Sequence, residues 1–237
     1  MKDSWFHLIS SKQGCLSPEA VYALNADGFV VIPGPVRQEE ISGLIEAYDN
    51  AICRAEPTDV AVGSTTTRVS DFVNRASIFD QLYLYDSLLE ACCRIIQQPF
   101  KLSTMHARTL RPHSPAQKLH VDFAGDQVGW PMVGFILMID EFQSENGATC
   151  FVKGSQGAER VPKDSVPVPA CGPTGSLIVF NGSTWHGHGS NQTNHPRRSI
   201  QGAFIRRTEK SGGNLPARMR QETLDRINPL AKYLLEL

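Results

Sequence analysis

The sequence predicts a mainly β fold with flanking helices, and three observations carry that prediction. Apolar residues recur at helical spacing before Pro99 and again after residue 207. Between them lie short runs rich in β-branched and aromatic residues, broken by glycine- and proline-bearing corners. The run Val133 to Ile139 contains no polar side chain, as suits a strand covered on both faces. Together these give a sandwich, jelly roll or barrel with helices packed on it. A length of 237 residues suits a single domain with its own core: 1–99 as helical support and first strand, 100–207 as β core, 208–237 as helical tail.

In chain order, Ser17-Pro18-Glu19 opens the first helix: serine caps, proline suits the first turn, and glutamate complements the helix dipole. "GFVVIPG" from Gly28 is a short strand. In "RQEEISGLIEAYDNAI", Ile41, Leu44, Ile45, Tyr48 and Ile52 make a one-sided helical stripe. Residues 54–70 are small and polar and read as a loop. "SIFDQLYLYDSLLEACCRIIQQ" reads as a helix or a broken pair, ended by Pro99. The candidate strands that follow are "FKLSTMHARTL", "KLHVDF", "VGFILMIDEF" and "ATCFVKG", and "GSLIVFNGSTWHGHG" and "RRSIQGAFIRR" add at least two more.

Lys plus Arg is 23 and Asp plus Glu is 24, so no basic excess points to nucleic acid or to a membrane surface. No apolar run is long enough to span a bilayer, and "MKDSWFHLIS" lacks the pattern of a signal peptide. Six cysteines without a C-x-x-C pair are expected to be free thiols, and the expected location is cytoplasmic.

Chemistry concentrates in "KLHVDF". In extended chain, His120 and Asp122 project to one side about 6.6 Å apart, close enough to share a cation. The same triplet also occurs as a plain surface pair, so a third ligand decides the matter. "STWHGHGSN" offers His186 and His188, which also suit hydrogen-bonded turn positions. Two histidines and a carboxylate leave coordination positions open, as in non-haem iron(II) oxygenases, whereas structural zinc takes four ligands. Arg197, eleven residues after His186, offers a fork for a carboxylate, while Arg198 suits a solvated strand edge.

These residues resemble the phytanoyl-CoA dioxygenase-like family of Fe(II)/2-oxoglutarate-dependent oxygenases. "ADGFVVIPGPVRQEEISGLIEAYD" is similar to the family's opening strand and helix, and "LHVDF" to its first metal motif. "ENGATCFVKGSQ" is similar to its ENG and PGSH turn, and "GPTGSLIVFNGSTWHGHGSNQTNHPRRS" to its closing strand, distal histidine and arginine. The resemblance implies a double-stranded β-helix (jelly roll, cupin-like) core packed against N-terminal helices. It implies His120, Asp122 and His186 as iron ligands, with Fe(II) as cofactor and 2-oxoglutarate and O2 as co-substrates. It implies Arg197 as anchor of the distal carboxylate, with His188 near the co-substrate and Ser199 on the strand face of Arg197. Val121 departs from the glutamine common in relatives, and Lys153 and Gln156 depart from the PGSH turn. The retained Asp122 argues against a halogenase.

The implied reaction couples decarboxylation of 2-oxoglutarate to hydroxylation, desaturation or ring formation on a small-molecule substrate. The short loop 154–175 suggests an accessible site and a bulky or polar natural-product intermediate of secondary metabolism rather than a lipid. Arg68, Asn74, Arg108 and Trp130 are the expected substrate contacts, and the expected state is monomer or homodimer. Rival readings are a cupin-like metal-binding module without turnover and a metal-dependent isomerase or hydrolase on the same barrel.

Overall fold

The computed structural model describes residues 2–237. Its helices are α1 (Lys2–Ser11), α2 (Pro18–Ala26), α3 (Ile41–Cys53), α4 (Asp80–Tyr83), α5 (Asp86–Ile96), α6 (Leu215–Arg218), α7 (Gln221–Arg226) and α8 (Pro229–Leu234). Its strands are β1 (Phe29–Pro33), β2 (Val60–Val62), β3 (Thr66–Val69), β4 (Phe100–Leu110), β5 (Met132–Met138), β6 (Thr149–Phe151), β7 (Val168–Pro169), β8 (Ser176–Asn181), β9 (His186–His188) and β10 (Arg197–Arg206).

Local chemistry sets most boundaries. The Ser17 side chain accepts from the Ala20 N–H at 3.2 Å, the cap that its position promises. The stripe of α3 buries Ile41, Leu44, Tyr48 and Ala51. The segment 77–98 is a broken pair, α4 and α5, after a 3-10 turn at Ser77–Phe79. Helix α1 was not expected from the sequence: its apolar residues are Trp5, Phe6, Leu8 and Ile9, of which Leu8 is exposed, and it folds by docking, with Trp5 stacked on Tyr233 of α8. Among the described residues, no helix is long and apolar enough to cross a membrane.

Seven strands pair antiparallel in the order β1-β8-β5-β10-β4-β3-β2, and a smaller sheet runs β7-β6-β9. The two sheets form a double-stranded β-helix. Strand β5 shows why Val133–Ile139 carries no polar residue. Val133, Phe135 and Leu137 join a large cluster under the helices, while Ile136 and Met138 join Phe142, Phe151 and Phe180 between the sheets. Each such side chain contributes about 1.5–3 kcal/mol by leaving water, so the major sheet is fixed from both sides.

Two expectations need correction. Residues 54–70 are not all loop: β2 and β3 form a hairpin that continues the major sheet. Ala61, Val62 and Arg68 are exposed and the strands are short, so it lacks the apolar signal of a buried strand. "KLHVDF" is not a regular strand; it contributes a single bridge, His120 to His186. In β4 the register against β10 slips between Ala203 and Phe204, leaving Ser103 as an extra residue, a bulge.

Candidate active site

The bridge between His120 and His186 ties a loop to β9. Gly187 makes the approach possible, since a Cβ there would lie 3.1 Å from the Gln117 carbonyl oxygen and 3.2 Å from that of Lys118. Two residues on, the Asp122 N–H donates to the Gly182 carbonyl at 2.9 Å and turns the chain. As a result an Asp122 carboxylate oxygen sits 3.6 Å from His120 Nε2, and the other sits 3.5 Å from His186 Nε2. One atom from each of the three side chains falls within 4.8 Å of the others. Both imidazoles are oriented by their far nitrogens: His120 Nδ1 meets the Lys118 carbonyl at 3.1 Å and His186 Nδ1 the Thr184 carbonyl at 2.8 Å. That fixes each Nε2 towards the shared centre, the usual way a ligating histidine is held.

The environment sets the charges. Burial works to raise the Asp122 carboxyl, but His120, His186 and Arg108 outweigh it and hold it below its ordinary value. The Asp122 carboxylate raises His120 against the effect of burial. Burial lowers His186, which packs against Phe151 and Phe180, and so favours its neutral, ligating form.

His188 projects from the same short strand as His186 but belongs elsewhere: its Nε2 lies 3.3 Å from Thr65 Oγ1 and its Nδ1 2.9 Å from the Gly189 carbonyl. On β10, Arg197, Ser199 and Gln201 share a face, while Ile200 points into the helical core. Arg197 is 1% exposed, stacked 4.1 Å above the Phe142 ring, and its Nε and Nη1 are buried without a hydrogen-bond partner. Burial and the Arg108 charge pull its guanidinium down to about 9. The Ser199 hydroxyl donates to the Arg108 carbonyl and accepts from Gln201 Nε2, each at 3.2 Å. Arg198, on the other face, pairs with Asp140 and Asp49.

A cavity of about 340 Å³ opens beside His120, Asp122 and His186, with Arg68, Arg108 and His188 also in its wall. Arg68 and Arg108 therefore stand where substrate contacts were expected. Asn74 and Trp130 do not. Asn74 is buried in the tail's anchor, donating to Asp71 and the Arg218 carbonyl and accepting from the Arg220 N–H. Trp130 borders a second cavity and packs over Gly125 and Gly157. Thr104, His106, Gln117, Thr149 and Gln201 also line the first cavity and were not singled out from the sequence. Alternation back along β4 from Arg108 leads to His106 and was the available signal. Lys153 and Gln156, the departures from the PGSH turn, hold the end of α2 through Asp27 and the Asn25 carbonyl.

Comparison with known proteins agrees with this architecture. The model of the phytanoyl-CoA dioxygenase (PhyH) family matches residues 24–199. The chain belongs to that family. Similar relatives include dioxygenase trt7 of Aspergillus terreus, 31% identical over 159 residues, 61% of this chain and 56% of that protein. The chain thus spans just over half the length of that relative. Dioxygenase cdmA of Talaromyces verruculosus is 29% identical over 209 residues, 78% of this chain and 71% of its own. Among solved structures, HygX from Streptomyces hygroscopicus with nickel and 2-oxoglutarate bound gives a TM-score of 0.67 at 18% identity, covering 83% of this chain and 89% of that one. EctD from S. alaskensis with bound Fe gives 0.69 at 13% identity, covering 84% and 80%. At these identities the structural likeness is one of fold.

Proposed function

We propose that the protein is an iron(II)- and 2-oxoglutarate-dependent oxygenase that oxidises a small organic substrate, a natural-product biosynthetic intermediate. The observation that carries this reading is the convergence of His120, Asp122 and His186 on one point. Two imidazoles and one carboxylate suit iron(II) and leave positions for other ligands. The buried, unpartnered Nε and Nη1 of Arg197 call for an anion, and the distal carboxylate of 2-oxoglutarate supplies one.

In this reading His120, Asp122 and His186 hold the iron, Arg197 holds the distal carboxylate, and His188 and Ser199 border the co-substrate. Iron with 2-oxoglutarate supplies decarboxylation of the keto acid to succinate and carbon dioxide, coupled to oxidation of a substrate C–H bond by O2. The protein's part is to keep His186 neutral, keep Asp122 ionised and present the substrate through the cavity. Relatives named as dioxygenases support the oxygenase chemistry. Solved neighbours titled as a carbocyclase and an epimerase from nogalamycin biosynthesis support a natural-product substrate and extend the reading beyond hydroxylation.

The test is anaerobic addition of iron(II) and 2-oxoglutarate. A weak visible charge-transfer band is expected. Its absence from protein shown to be folded overturns the proposal.

A further inference from the structure

Two arginines face each other across the cavity wall. Arg68 of β3 and Arg108 of β4 are directly opposed in the register, and both line the cavity. Like charges at such positions destabilise a sheet unless something lies between them. Several other arginines of the fold meet carboxylates: Arg75 meets Asp59, Arg206 meets Asp126, and Arg226 meets Asp80. Among the described residues, neither Arg68 nor Arg108 has such an ion pair.

What Arg108 has instead is weak. Its Nη1 lies 3.4 Å from Gln201 Oε1 and its Nη2 3.3 Å from Gln117 Oε1, both long bonds to neutral acceptors. Its Nε is buried with no partner at all. His106 shares its strand face two residues earlier, and His106 Nε2 is likewise buried without a partner. Burial, reinforced by Arg68 and Arg108, brings His106 down to about 4, so the ring is neutral and free to donate. Lys210 adds a further cation to the cavity lining. Asp122 is the acid whose field reaches Arg108, and it is one of the three candidate ligands.

This inference rests on the iron and 2-oxoglutarate reading. There, iron(II) and Arg197 together offset the Asp122 carboxylate and the 2-oxoglutarate dianion. Arg68 and Arg108 are then left without any counter-charge. Two guanidinium forks across one sheet suit a flat acceptor with two oxygens. We propose that the Arg68 and Arg108 pair, with His106 beside it, recognises a carboxylate carried by the primary substrate. The substrate class is therefore a small organic acid.

The experiment titrates benzoate, and separately its neutral isostere benzamide, into anaerobic protein loaded with iron(II) and 2-oxoglutarate, followed by calorimetry. Benzoate is expected to bind at least tenfold more tightly than benzamide. Arg68→Gln should reduce that preference to below threefold while the charge-transfer band persists, and Arg108→Gln should reduce the preference likewise. Equal binding of the two probes, or a preference that survives both substitutions, overturns the proposal. So does displacement of 2-oxoglutarate by benzoate, because the arginines then serve the co-substrate.

Thermal melting separates recognition from architecture. Arg68 is exposed, and Arg68→Gln should melt at or above the parental temperature, since it removes a like-charge pair. A lower melting temperature makes the arginine structural and overturns the proposal. A missing charge-transfer band instead sinks the oxygenase reading, while a benzoate preference in metal-free protein still supports the arginine site.

Discussion

His120 and His186 each donate a backbone N–H to the other's carbonyl oxygen, both at 2.9 Å. The pair of imidazoles is therefore set by main-chain hydrogen bonds, before any side chain binds anything. Their rings lie 4.6 Å apart, with Asp122 reaching both. Ligation then depends on side chains held in place by β9 and its neighbour.

The first prediction separates the two histidines of β9. His186→Ala should abolish the charge-transfer band formed by iron(II) and 2-oxoglutarate, whereas His188→Ala should only weaken it. The reverse pattern in anaerobic absorption spectra would assign the ligand to His188.

Arg197 gives the second. Arg197→Met keeps a flexible apolar side chain over Phe142 but removes the anion partner. Affinity for 2-oxoglutarate should fall by about 2–3 kcal/mol, the worth of a charge-assisted hydrogen bond. Melting temperature without 2-oxoglutarate should not fall, because an unpaired buried charge has been removed. Unchanged affinity in a binding titration refutes the anchoring role.

The third concerns acid. The folded value of His106, about 4, lies below its unfolded value of 6.5, so the unfolded chain takes the proton first. Its contribution to stability is complete above pH 6.5 and is lost as the pH falls towards 4. The full loss is about 3 kcal/mol. Chemical denaturation of His106→Leu should show a flatter profile across that window, and an identical slope would remove His106 as the cause.

Gly187 supplies the fourth. Gly187→Ala would place a methyl against the carbonyls of Gln117 and Lys118 and push the His120 loop off β9. We expect a stability cost of about 1–3 kcal/mol and iron affinity lowered at least tenfold, measured by competition with a chelator. Parental iron affinity would mean the loop is placed by other contacts.

The last tests a residue that the structure moves out of the site. Asn74→Ala should cost about 1–3 kcal/mol by stranding its buried partners while leaving 2-oxoglutarate binding unchanged. A specific loss of binding by a stably folded variant would return Asn74 to the cavity.

Much of this was legible because the informative residues lie in regular or motif-bearing segments. The boundaries of β4 are those of "FKLSTMHARTL", and Val133–Ile139 announced its two covered faces through composition alone. His120, Asp122, His186 and Arg197 stood out through spacing and through family resemblance. The hairpin of β2 and β3 did not, because a strand with one wet face and only three or four residues carries little periodicity. Asn74 and Trp130 misled for another reason. A polar or aromatic residue in a loop looks the same whether it meets a ligand or ties down a distant segment, and only tertiary contact separates the two. His106 hid inside a strand whose neighbours are mostly apolar.

The bulge in β4 reaches further than its one residue suggests. It brings both Ser103 and Thr104 to the cavity, and Ser103 Oγ accepts the Gly212 N–H at 2.8 Å, pinning the segment that follows β10. Deleting one residue here would restore even pairing, release that segment and reshape the rim without disturbing His120, Asp122 or His186. A lineage could thus change the size of molecule it admits by a single codon's loss in a strand, while the candidate metal centre is inherited intact.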